Sequence, residues 1–240
     1  DLSIGTGSEW ATNVVEQLVK CGISDSKQII DKEKSAQAAR YFESLQCYNG
    51  HIIRKSDGIR RRMGDGAEDF QYGCFELSEV ALAPHLWETV LDDDVLAVAA
   101  NYLKCTPTLY SVHAFQNFPE LPDAKDVVPY KNVQTFHRDR DDFKFISLFI
   151  NLTDSDADHY YIPGSHTEAG TIELFKLLLS RSDQLKESWE SQKIHHSIMF
   201  RNHEIAQTAC ENLLQDRTMS RPSVAGHGFF TDVFGLHKGG

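Results

Sequence analysis

Through the first hundred residues apolar side chains recur every three to four positions, and from about Thr106 they recur every second position. That change of period predicts a helical first part, 1–105, and a β-rich second part, 106–240. In EWATNVVEQLVKC, Trp10, Val14, Leu18 and Cys21 share one face. Ser8 is placed to cap the free amides at the start, and Gly22 ends the helix. A second helix is predicted over roughly 34–47, with Ala38, Tyr41, Phe42 and Leu45 as its apolar side. FELSEVAL, PHLWETVL and DDVLAVAANYL read as short helices, the second with Pro84 near its start.

Four later segments are rich in β-branched and aromatic residues and end in turn formers: TLYSVHAFQNF (108–118), VQTFH (133–137), FKFISLFINL (143–152) and HYYIPG (159–164). A helical insertion over about 167–222 follows, carrying TIELFKLLLSRSDQLKESWES and NHEIAQTACENLLQ. A last strand, 224–234, delivers GLHKGG. The order predicts a mostly β core braced by helices, in a single domain spanning 1–240.

Composition narrows the function. A net charge of −11 argues against general binding to nucleic acid or an anionic membrane. No apolar run approaches the ~20 residues that cross a bilayer. Five widely spaced cysteines without a CxxC pair point to reduced, packed thiols in an intracellular, cytoplasmic protein. The local exception to the acidity is IIRKSDGIRRRMGDG (52–66), with Arg54, Lys55, Arg60, Arg61 and Arg62. It reads either as a solvated glycine-containing loop or as a recognition loop for an anionic small-molecule substrate.

The chemistry gathers at QTFHRDRDD (134–142), a charged stretch that runs straight into an apolar strand. Residues two apart on a strand share a face, so His137 and Asp139 can aim at one ion while Arg138 points away. HxD alone is a weak signal in a chain with 11 histidines. A second histidine changes that, because two His and one carboxylate on one face of a metal is the donor set of non-haem Fe(II) oxygenases. His237 in TDVFGLHKGG is the candidate, beside glycines that let the backbone come close. His195 and His196 fall in the helical insertion, His227 between two glycines in a turn, and His113 on a strand facing either core or pocket.

QTFHRDRDDFKFISLFINLTD, YYIPGSH and GHGFFTDVFGLHKG together, in this order, resemble the signature blocks of the phytanoyl-CoA dioxygenase-like family, over roughly residues 95–240. The resemblance implies a double-stranded β-helix, a jelly-roll or cupin-like core, with Fe(II), 2-oxoglutarate and O2 as cofactor and co-substrates. It implies hydroxylation of a small organic substrate with release of succinate and CO2. His137 and Asp139 match the proximal metal ligands and His237 the distal one. Gln134 falls where relatives contact 2-oxoglutarate, with His113 as a second pocket candidate and plain packing the alternative for both. Ser165 and His166 match the end of the PGSH motif, which fixes a turn at the barrel mouth, and Asp232 matches a structural acidic residue. Halogenating relatives carry a small residue at the carboxylate position, so Asp139 implies a hydroxylase.

Two departures stand beside the resemblance. Relatives anchor 2-oxoglutarate with an arginine beyond the distal histidine, whereas three residues follow His237 here; the expectation is that it lies beyond Gly240. LTDSDADHYYIPGSH is also shorter than its counterpart and lacks the usual Asn-Gly-Pro turn. These departures keep an alternative open, a non-catalytic β-helix that serves as a binding module.

Overall fold

The computed structural model describes residues 7–49, 60–62, 64–65, 72–117, 136–139, 144–183, 186–187 and 209–239, with backbone alone at 209–210. In chain order its elements are α1 (Glu9–Cys21), β1 (Lys27–Gln28), α2 (Lys32–Glu43), β2 (Cys47–Asn49), β3 (Arg60–Arg61) and β4 (Tyr72–Cys74). Then come α3 (Leu77–Val80), α4 (Leu86–Val90), α5 (Asp93–Leu103), β5 (Phe115–Asn117), β6 (Ser147–Ile150), β7 (Ser155–Tyr161) and α6 (Glu168–Arg181). A π-helical turn at Ala209–Leu213 and a 3-10 turn at Gln215–Arg217 precede β8 (Met219–Ser223), β9 (His227–Thr231) and β10 (His237–Lys238).

The helices start where their caps allow. The Ser8 hydroxyl accepts from the Ala11 amide at 3.3 Å, and Gly22 closes α1 at φ 83°, its amide donating to the Leu18 carbonyl at 2.9 Å. Asp92 caps α5 by accepting from the amides of Asp94 and Val95. Asp31 caps α2 in the same way through Lys34, so that helix covers 32–43 instead of 34–47 and Cys47 opens a strand.

Two antiparallel three-stranded sheets, ordered β1-β9-β6 and β10-β7-β8, form the centre. Alternation sorts their side chains. On the first sheet Phe149 and Phe229, which are register partners, face inward, while Leu148 and Phe230 face the α1–α5 layer of Ala11, Val14, Leu18 and Val98. On the second sheet Tyr161 turns inward to Ile23 and Phe229, while Tyr160 faces Phe136, Ile162, Leu174 and Leu178 on the α6 side. The result is helix, sheet, sheet, helix, with apolar layers on both sides of each sheet.

A third sheet, β3-β2-β4-β5, lies within a stretch whose first part reads as helical in sequence. Its strands are two or three residues long, too short for a period to register, and they pair across long separations such as Tyr72 with Asn117. Other strands are narrower than their sequence pattern: among the described residues, 108–117 carries strand only at Phe115–Asn117, and 144–152 only at Ser147–Ile150. His227 is the first residue of β9; the turn is made by Gly226 at φ 79°. Among the described residues no helix is long and apolar enough to cross a membrane, and Cys21, Cys47, Cys74 and Cys105 form no disulfide.

Candidate metal centre

His137 and His237 meet as an isolated antiparallel bridge. The His137 amide donates to the His237 carbonyl at 2.9 Å, and the His237 amide returns the bond at 3.1 Å. Two residues on, the Asp139 amide donates to the Val233 carbonyl at 2.9 Å. Phe136 and Leu236, the neighbours of the two histidines, are buried in the α6-side cluster. Alternation therefore turns both imidazoles the opposite way, toward the space between the sheets. Arg138 points away as its register demands, donating to the Ser165 carbonyl (2.9 Å) and Thr171 Oγ1 (2.8 Å) at the start of α6.

Donor atoms of His137, Asp139 and His237 all lie within 4.8 Å of one another. Asp139 Oδ1 is 3.6 Å from His137 Nε2, and Asp139 Oδ2 is 3.6 Å from His237 Nε2. That separation is too long for a hydrogen bond. It suits a shared ion, since donors about 2.1 Å from one metal stand roughly 3.0–3.6 Å apart at angles of 90–120°. His237 Nδ1 lies 2.9 Å from the Gly235 carbonyl, a pairing that puts the proton on Nδ1 and leaves the Nε2 lone pair for the ion. Burial works against ionisation of Asp139, but the contact with His237 and the charges of His237 and His137 hold its pKa below the ordinary carboxylate value. A carboxylate that is to hold a metal must be ionised, and the direction of this shift favours that form.

The supporting residues act on the frame. Ser165 is buried; its hydroxyl donates to the Ile162 carbonyl at 2.6 Å and accepts from the Leu236 amide at 2.7 Å, tying the turn before α6 to the residue beside His237. Asp232 takes the Tyr102 hydroxyl at 2.5 Å and the Phe234 amide at 3.0 Å, and its own carbonyl accepts from Tyr161 Oη at 2.8 Å. It thus fastens the β9–β10 turn to α5 and β7. His166 rests against the Val19 carbonyl at 3.3 Å and takes no part in the donor cluster. His113 is exposed and stacks on Phe115 ahead of β5, also apart from that cluster. Gln134, Arg54, Lys55, His195 and His196 lie outside the described residues. Arg60 from the basic stretch is engaged by Glu79 at 2.5 Å and lies over the Tyr48 ring.

One inward-facing residue was missed in the sequence pattern. His159 on β7 shares its face with Tyr161 and stacks on His237, its ring centroid 5.6 Å away. The alternation in HYY could have found it.

No protein-family model matches the sequence, and no curated protein matches it significantly. Among solved structures, the chain is similar to SnoK, described as a non-heme alpha-ketoglutarate-dependent carbocyclase from nogalamycin biosynthesis. The TM-score is 0.50 at 16% sequence identity, over 95% of this chain and 78% of that one. The chain shares its fold with that enzyme. Independently of that likeness, His137, Asp139 and His237 form a group that could hold a metal ion.

Proposed function

We propose that this chain is a non-haem Fe(II)- and 2-oxoglutarate-dependent dioxygenase of the phytanoyl-CoA dioxygenase-like kind, hydroxylating a small organic substrate with release of succinate and CO2. The observation that carries the reading is the donor set of His137, Asp139 and His237, two imidazoles and one carboxylate spaced for a single ion. The fold shared with a non-heme alpha-ketoglutarate-dependent enzyme supports it, as do the three sequence blocks. The two facing sheets support a double-stranded β-helix.

The residues present fit the group. His137, Asp139 and His237 would hold Fe(II) from one side, and the remaining positions would open toward 2-oxoglutarate and O2. When bound, the iron with its 2-oxo acid supplies the oxidising power that inserts one oxygen atom of O2 into a C–H bond while the other enters succinate. The chain's own part is positional. The Gly235 carbonyl sets the His237 tautomer, the reciprocal backbone bonds fix the two imidazoles, and Phe149 and Phe229 stack as an apolar wall facing them. Asp139 fills the carboxylate position and leaves none for a halide, which favours hydroxylation.

Incubation with Fe(II), ascorbate and 2-oxoglutarate tests the reading. Slow succinate release that requires Fe(II) is expected even without the substrate. A protein that neither binds 2-oxoglutarate nor forms succinate would be a binding module instead.

A further inference from the structure

The space beside the metal centre holds a third imidazole that the donor set does not use. His159 sits on β7 two residues before Tyr161, the register partner of His237. Its ring lies nearly parallel to that of His237, at 22°, and packs 4.9 Å from Phe149 and 5.0 Å from Phe229 on the facing sheet. It is not one of the three residues whose donor atoms cluster for a metal. Its Nε2 is closed to solvent and has no hydrogen-bond partner among the described residues.

A native interior seldom leaves such a nitrogen unpaired, and an orphan of this kind calls for a partner such as a water or a bound ligand. For packing between two phenylalanines, a leucine or phenylalanine would serve without that cost. An imidazole, unlike either of those side chains, also has an N–H to give. The surrounding walls are aromatic, and the nearby Tyr161 hydroxyl is already engaged with the Asp232 carbonyl. An acid anion bound at the metal enters a lining poor in donors, where an imidazole N–H offers a charge-assisted bond.

We propose that His159 donates a hydrogen bond from Nε2 to a carboxylate oxygen of the 2-oxo acid held at the metal, as a binding residue for that co-substrate. The inference rests on the oxygenase reading above. It assigns to the β7 histidine a contact that the metal-ligand set does not provide.

Calorimetric titration of the Mn(II)-loaded protein with 2-oxoglutarate tests it, because binding is read without turnover. His159→Phe should weaken 2-oxoglutarate about 10- to 100-fold, the range expected for losing a hydrogen bond to a charged group, and leave Mn(II) affinity unchanged. His159→Gln, which keeps an N–H donor, should bind the acid more tightly than His159→Phe; thermal melts of both variants establish that they are folded. Wild-type affinity in His159→Phe, or equal losses in both variants, would overturn the proposal and leave a trapped water as the partner of Nε2. A wild-type protein that takes up Mn(II) but not 2-oxoglutarate would instead remove the oxygenase reading itself.

Discussion

His137 and His237, a hundred residues apart, bond each other's backbone in both directions, at 2.9 and 3.1 Å. The frame of the candidate metal centre is thus built from main chain, which sets the two imidazoles side by side. Closing so long a loop is costly in entropy, which makes the pair dependent on what braces it. The braces are Ser165 against Leu236, Asp139 against Val233, and Asp232 against Tyr102.

Gly235 is the tightest point of that frame. A Cβ there would overlap the hydroxyl and ring of Tyr161, so Gly235→Ala must shift backbone that carries the carbonyl partner of His237. The expected cost is about 3 kcal/mol of stability, together with a loss of metal affinity of about 10- to 100-fold from the disturbed histidine. Gly22→Ala is expected to destabilise as well, because Gly22 has φ 83° and its Cβ would overlap the Tyr161 hydroxyl and stand 2.5 Å from His166 Nδ1. Urea unfolding with a metal titration of each variant checks both, and wild-type stability in Gly235→Ala would show that the turn relaxes freely.

Asp232→Ala removes the acceptor of a buried phenol and of the Phe234 amide. The expected loss is about 2–3 kcal/mol, the cost of stranding buried polar groups. Tyr102→Phe should cost less, and the double variant should lose less than the sum of the two. Denaturant melts of the four proteins measure the coupling; strict additivity would mean that the pair does not interact.

Much of this frame could be read in the sequence and some of it could not. Ser8 and Gly22 mark helix ends because caps act within a few residues, and HxD shows because strand spacing puts two candidate ligands on one face. His237 stood out at the end of a predicted strand beside glycines, and the resemblance to a known motif added to that reading. Asp232 meets Tyr102 across 130 residues, and β2 to β5 pair through strands of two or three residues. Contacts of that kind leave no periodic trace. His159 shares the inward face of Tyr161, and HYYIPG marks a strand whose inward face only the packing of Tyr161 reveals.

The third sheet gives a pH dependence. Burial first, then the charge of Cys47, pushes the Cys74 thiol up to about 11 from 9.0, and burial, then Cys74, pushes the Tyr72 phenol up to about 12 from 10.0. Both groups are neutral when protonated and hold their protons more tightly in the folded state. Their contribution to stability is complete below the unfolded values and is lost as pH rises through the folded ones. Melting temperatures should be flat from pH 7 to 9 and fall between 9 and 12, with the onset later in Cys74→Ala. A flat profile to pH 12 would contradict the buried thiol and phenol.

The central claim is that His137, Asp139 and His237 together hold one metal ion. Calorimetric titration of the metal-free protein with Fe(II) under argon tests it most directly, with Asp139→Ala alongside. One ion per chain is expected in the wild type, with affinity reduced more than about 100-fold in the variant and an unchanged circular dichroism spectrum. Equal stoichiometry and affinity in the two proteins would contradict the account.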